Sequence, residues 1–308
     1  MSRDGKKLIG FIIGREHELP DAVMGIINSS DTGVQAELVK LTGNTLDEPV
    51  DYDVIIDRMS HEVPYYRIYV EYAAMRGCYV INDPFVWAND TKFQAGALLY
   101  HLGIKTPRTM VLPNKDIAAE TVPDSFRNLG YPMDWQAIID YIGSPAIFKD
   151  VRSGGRRFAH RVSNVEELIQ RYDESGTRTM ILQQVIDSPH HYHCLVVGEQ
   201  KTLLLPYSFD SSRYLPGELG LSDAQAAHIT DIACKITRIY GYDINMSEFV
   251  LDGDELYLIN ATNPSPIVNR ELMTEAQFEW IAAEIAALAL QRVAEPRPQR
   301  LPVHLTGL

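Results

Sequence analysis

Between residues 7 and 81, short apolar runs alternate with stretches of helical periodicity, the pattern made by parallel strands joined through crossover helices. The spacing predicts strands at 8–13, 36–41, 54–57 and 79–81 and helices at 22–28 and 65–75. Gly77 stands where a helix C-terminus needs a residue tolerant of positive φ. Asn82-Asp83-Pro84 forces a turn. A helix over 90–102 follows, with Phe93, Ala97, Leu98 and Leu102 on one face and Gly103 as its stop. A first domain therefore closes near residue 88.

Beyond it, strands are predicted at 109–112 and 146–149, with loop-rich sequence and one helix (135–141) between them. A helix at 165–172 and an apolar strand at 180–185 complete a second unit, which ends in Asp187-Ser188-Pro189. The third begins with strands at 194–197 and 202–205. Ser222 and Gln225 have capping-box spacing at the start of a helix over 223–240, and Gly241 ends it. A hairpin follows, 248–251 against 256–259, around Asp252-Gly253-Asp254. The last helix, 274–293, carries Phe278, Ile281, Ile285 and Leu288 on a core-facing stripe. The tail with Pro296, Pro298 and Pro302 reads as extended and loosely held. No internal repeat is visible, and the expected divisions are 1–88, 89–186, 187–295 and 296–308.

A chain of 308 residues has room for two or three cores, and 45% hydrophobic with 22% charged residues is ordinary for a soluble globular protein. The 28 Lys and Arg against 41 Asp and Glu leave a net charge of −13, which disfavours general binding to nucleic acid or to an anionic membrane. Cys78, Cys194 and Cys234 lack metal-ligand spacing and read as packing residues in a reducing cytoplasm. The first apolar run stops at Arg15 and Glu16, too short for a membrane span of ~20 residues. A cytoplasmic location is the expectation.

Three segments can carry chemistry. Lys149 ends a strand and leads into Asp150-Val151-Arg152-Ser153-Gly154-Gly155-Arg156-Arg157, where the glycines leave backbone N–H groups free to face an anion; a solvated hairpin tip is the plainer reading. It is neither a Walker A loop nor a dinucleotide fingerprint. Lys92 falls in the first turn of its helix, where a cation opposes the helix dipole unless an anion sits nearby. Glu248 precedes the last hairpin turn, and Asn260 and Asn263 follow it, so the hairpin gathers hard oxygen ligands of the kind Mg²⁺ takes, one or two carboxylates completed by substrate phosphates.

Taken in this order, the segments resemble the ATP-grasp superfamily, in its glutathione synthetase-like and ribosomal-modification-ligase-like (RimK-like) branch. The resemblance covers about residues 53–266. It implies an α/β fold of three α/β subdomains, with ATP held between the central and C-terminal ones. Aligned on Asn89-Asp90-Thr91-Lys92-Phe93 and on Pro145-Ala146-Ile147-Phe148-Lys149, Lys92 and Lys149 match the two nucleotide lysines. Ser153, Gly154, Gly155 and Arg156 match the loop over the phosphates. Leu182-Gln183-Gln184-Val185-Ile186 matches the hinge strand, with backbone near Val185 and Ile186 at the adenine edge. Gln183 stands where relatives often carry Glu, and its amide can still accept from the adenine amino group. His190 stands where an acidic residue often holds the ribose, and His193 where Arg is frequent. His190, His191 and His193 are read as structural or ligand-contacting rather than as a metal site. In Tyr257-Leu258-Ile259-Asn260-Ala261-Thr262-Asn263-Pro264, Asn260 occupies an acidic metal position, while Glu248 and Asn263 match the other ligands.

The resemblance implies an ATP-dependent carboxylate–amine or carboxylate–thiol ligase working through an acyl phosphate, with ATP and Mg²⁺ as cofactors and a small carboxylic acid plus an amine, or a peptide, as substrates. Arg213 and Lys149 are the catalytic candidates. Arg58, Ser60 and His61, just after a strand end, are candidate substrate contacts. Asn260 supports a rival reading, a regulatory ATP- or ADP-binding protein of the same fold that does not ligate. A redox or carbohydrate enzyme on a Rossmann-like scaffold fits poorly, because no glycine fingerprint follows the first strand. Oligomeric state is open, a homo-oligomer included.

Overall fold

The computed structural model describes residues 6–117, 127–130, 132–152 and 158–305. They fall into two units, the described residues of 1–89, 191–247 and 262–308, and those of 90–190 and 248–261.

The first unit opens with β1 (Lys7–Ile12), α1 (Glu18–Asn28), β2 (Val34–Leu38), β3 (Val54–Asp57), α2 (Pro64–Met75), β4 (Tyr79–Ile81) and the short α3 (Pro84–Trp87). The strands form a parallel sheet in the order β2-β1-β3-β4, with Ile9 opposite Ala36 and Val54, and Ile55 opposite Val80. All four residues of β3 are buried, as befits a parallel strand covered on both faces. Ile9, Phe11, Val54 and Ile56 join one core with α1, whereas Ile12, Ile55 and Val80 join a second with Tyr69, Val70 and Ala73 of α2.

The second unit contains α4 (Lys92–His101), β5 (Thr109–Leu112), α5 (Trp135–Ile142), β6 (Ala146–Asp150), β7 (Ala159–Val162), α6 (Val165–Asp173) and β8 (Met180–Gln184). Its antiparallel sheet runs β5-β8-β6-β7, placing Gln183 between Thr109 and Ile147, and Lys149 between Ile181 and Ala159. Ile138, Ile142, Phe148, Leu168 and Leu182 form its core. Thr91 caps α4 by accepting from the Gln94 amide. The expected apolar face of this helix is corrected: Ala95 and Leu99 are the buried residues, and Phe93 is 37% exposed. Apolar residues lie all round the helix, so its periodicity favours no single face.

Next come β9 (His190–Val197), β10 (Lys201–Ser208), β11 (Arg213–Tyr214), α7 (Asp223–Tyr240), β12 (Ile244–Asp252), β13 (Glu255–Asn260) and α8 (Glu275–Ala294). The strand order is β11-β10-β9-β12-β13. β12 is shared: 244–247 belong to the first unit and 248–252 to the second. The register of β12 and β13 slips between Glu248 and Phe249, which pair with Asn260 and Leu258 respectively, leaving Ile259 as the extra residue of a bulge. Gly253 turns the hairpin at φ 58°. The α8 residues Phe278, Ile281, Ile285 and Leu288 are buried in the first core.

The C-terminal tail is held more firmly than expected. Arg297 donates to the Tyr79 hydroxyl at 2.9 Å and to Asp243 Oδ1 at 3.0 Å, and Gln299 Oε1 accepts from the Val80 amide of edge strand β4 at 2.9 Å. Asp243, 2% exposed, also receives Arg292 at 2.7 Å. Proline spacing alone cannot reveal such polar anchors.

All three cysteines are free; burial pushes the Cys194 thiol up to about 12 and the Cys78 thiol up as well, so both stay protonated packing groups. Among the described residues, no helix is long and apolar enough to cross a membrane.

Candidate functional site

In the second unit, four chain segments bring five of the expected residues together. Lys92 is the first residue of α4, and its own amide donates to Val151 O at 3.0 Å, which ties the helix start to the end of β6. Burial pulls the Lys92 ammonium below its ordinary pKa, opposed by the charges of Asp150, Glu248 and Asp90. The Lys149 ammonium is pushed down to about 8, chiefly by desolvation and then by the Lys92 charge, with Glu248 pulling the other way. The two cations thus lie close enough for the Lys92 charge to act on Lys149, and Lys92 stands at the positive end of a helix dipole.

Lys149 Nζ donates to Gln183 Oε1 at 2.8 Å, and Gln183 Nε2 donates to Thr109 Oγ1 at 3.2 Å. Both ends of this amide are therefore engaged by protein. The bulge in the last hairpin sets Asn260 opposite Glu248, and Asn260 Nδ2 donates to Glu248 Oε1 at 2.9 Å. Lys92, Ala95, Gly96, Gln183, Ile259 and Asn260 border one hollow.

The remaining hinge residues lie alongside. Gln184 is paired to Arg108 by its backbone and by its Oε1, and Val185 and Ile186 follow it, partly buried. His190 is exposed, and its amide donates to Ser188 Oγ at 3.2 Å. Ser153, Gly154, Gly155 and Arg156 lie outside the described residues.

Glu248 supplies one carboxylate, and Asn260 presents an N–H rather than an oxygen to it. Among the described residues, no group of three His, Cys, Asp or Glu side chains could hold a metal. Mg²⁺ takes one or two carboxylates completed by phosphate oxygens, and Glu248 is a donor of that kind.

The other candidates belong to the first unit. Asn263 is fixed there by its backbone, its amide donating to Asn245 Oδ1 at 2.9 Å and its carbonyl accepting from Met246 at 3.0 Å. Arg58, 7% exposed, is spent on structure: Nε and Nη2 donate to Glu16 at 2.6 and 2.9 Å, and Nη2 to Pro266 O at 2.7 Å. The buried Ser60 hydroxyl donates to Asp57, and the His61 ring stacks on Trp87 at 4.7 Å. Arg213 is exposed, with Nε donating to Glu271 O at 2.9 Å. Sequence reasoning missed Thr109 and Asp150. Strand pairing alone reveals Thr109, while Asp150 was adjacent to Lys149 but gives no signal of its own.

No protein-family model matches the chain, and no curated protein matches it in sequence. Solved structures do. A RimK-domain ATP-grasp protein from Sphaerobacter thermophilus aligns with a TM-score of 0.66 at 18% identity, covering 92% of this chain and 99% of the other. The D-alanine–D-alanine ligase of Bacillus anthracis, complexed with ATP, aligns with 0.66 at 13% identity over 94% and 97%. The VanG D-Ala:D-Ser ligase of Enterococcus faecalis gives 0.63 at 14% over 92% and 99%. The chain has the ATP-grasp fold. Identity this low makes the likeness one of fold, and function must be argued from the site.

Proposed function

We propose that the protein is an ATP-dependent ligase that activates a small carboxylic acid and transfers it to an amine, forming a C–N bond, with a thiol as the other acceptor class. The observation that carries this reading is one hollow bordered by Lys92, Gln183 and Asn260, with Lys149 hydrogen-bonded to that Gln183 and Glu248 to that Asn260. Phosphoryl transfer needs positioning and charge neutralisation more than a protein nucleophile, and this set supplies both. Lys92 and Lys149 would grip the phosphates. Gln183, Gln184, Val185 and Ile186 would flank the base, His190 the ribose, and Ser153, Gly154, Gly155 and Arg156 would cover the phosphates. Glu248, with Asn260 and Asn263, would hold Mg²⁺, which lowers the charge on the phosphate oxygens when bound with the nucleotide.

In the first step the substrate carboxylate oxygen bonds to the γ-phosphorus as the bond to the β-phosphate oxygen breaks, releasing ADP. In the second, the amine nitrogen bonds to the acyl carbon, the acyl–oxygen bond breaks to release phosphate, and the amine gives up a proton. Arg213 is the candidate to meet the carboxylate, and Ser60 and His61 are further contacts in this reading; Arg58, its guanidinium committed to Glu16 and Pro266 O, would hold that segment in place rather than touch substrate. The division into 1–88, 89–186 and 187–295 and a cytoplasmic location go with the same proposal.

The test is ADP release from Mg·ATP, screened against pools of amino acids and small carboxylic acids, with Lys149→Met as the control. Stimulated release that Lys149→Met abolishes is the expected result. One observation favours a second reading: Asn260 donates an N–H to Glu248 where a second carboxylate would serve catalysis. A regulatory nucleotide binder predicts ATP binding with no release from any pool.

A further inference from the structure

We propose that Gln183 is a positioning residue for Lys149, a neutral strut that aims the ammonium without cancelling its charge. The proposal rests on the reading of Lys149 as a phosphate-binding group. The register of β5, β8 and β6 puts Thr109, Gln183 and Ile147 side by side, and Lys149 lies two residues from Ile147 on the same face. Gln183 Nε2 is tied to Thr109 Oγ1 at 3.2 Å, which leaves Oε1 facing the other way, where it accepts from Lys149 Nζ at 2.8 Å. The Thr109 hydroxyl is in turn anchored on Pro107 O at 3.0 Å. Among the described residues, the charged groups that act on Lys149 from other elements are Lys92 of α4, which repels it, and Glu248 of β12, which attracts it.

An ammonium flanked by another cation needs an acceptor to stay in place. A carboxylate at 183 would provide one as an ion pair, whereas the amide provides a neutral one. The amide holds the lysine and leaves its charge for a ligand. With one Oε1 lone pair on Lys149 and one Nε2 N–H on Thr109, the Gln183 amide is oriented by protein groups at both ends.

Two measurements test this. Without nucleotide, acylation of Lys149 by a water-soluble active ester, followed by peptide mass spectrometry, reads how firmly the amine is held. Gln183→Leu should accelerate it several-fold and Gln183→Glu slow it; equal rates in all three proteins would overturn the proposal. With nucleotide, Gln183→Leu should weaken Mg·ATP and Mg·ITP by the same factor, about tenfold, and should add nothing in a Lys149→Met background. Loss confined to ATP, which carries the 6-amino group that ITP lacks, or losses that add, would assign Gln183 to the base and overturn the strut. If Gln183→Leu fails to fold, the unbranched Gln183→Met decides, since it too removes the acceptor for Lys149 and should weaken ATP binding; equal or tighter binding would refute the argument. Wild-type protein that binds no nucleotide yet shows the predicted acylation order would defeat the proposed function and leave the strut standing.

Discussion

Replacing Lys149 by Met should make the ligand-free protein more stable near neutral pH, although it removes a hydrogen-bonded side chain. The pKa of this ammonium falls from the ordinary 10.5 to about 8. At 1.36 kcal/mol per pKa unit this is about 3 kcal/mol for a dry site, and the partial exposure of Lys149 brings it to on the order of 1–2 kcal/mol. Against this stands the orphaned Gln183 Oε1, about 1 kcal/mol. Below pH 8 both folded and unfolded chains carry the proton, and the native state bears the full cost of the buried charge. Between 8 and 10.5 the folded protein has released its proton while the unfolded chain keeps it, so wild-type stability rises with pH; above 10.5 neither is charged and the cost is gone. The advantage of Lys149→Met should therefore be present at pH 7 and disappear, or reverse, at pH 10. Urea unfolding at both pH values measures it. A variant destabilised equally at pH 7 and pH 10 would refute the reasoning.

Affinity for Mg·ATP should weaken as pH rises through about 8, by up to about tenfold per unit as the free protein loses the Lys149 proton; calorimetric titrations at pH 7 and 9 that agree would count against it. Asn260→Asp places a second carboxylate against Glu248 and should tighten Mg²⁺ binding by on the order of tenfold, read from the Mg²⁺ dependence of ATP binding. Asp243→Ala strands the buried Arg292 and should cost about 3–5 kcal/mol in urea unfolding, while Lys149's acylation rate stays unchanged.

Local signals reached the sequence where the chemistry is local. Helix α7 runs over the residues expected because Ser222 and Gln225 form a capping box at one end and Gly241 adopts φ 68° at the other. Strands β9 and β10 run longer than their apolar cores, because His191 and Ser208 are drawn in by pairing with neighbours rather than by their own propensity. Ala159-His160-Arg161-Val162 becomes β7 only because β6 pairs with it. The four-residue α3 went unread although Asp83 caps it and Pro84 starts it, a short-range signal available in the sequence. The two lysines and Glu248 were legible by position. That Gln183 spends its amide on Lys149 and Thr109 was not, since this depends on which strands lie adjacent.

The central claim is that Lys92 and Lys149 together grip a triphosphate, and calorimetric titration of the wild type, Lys92→Met and Lys149→Met with Mg·ATP and with AMP tests it most directly. The account predicts that ATP binds far more tightly than AMP and that either substitution removes most of that preference. Equal affinities for ATP and AMP, or a preference untouched in both variants, would contradict it.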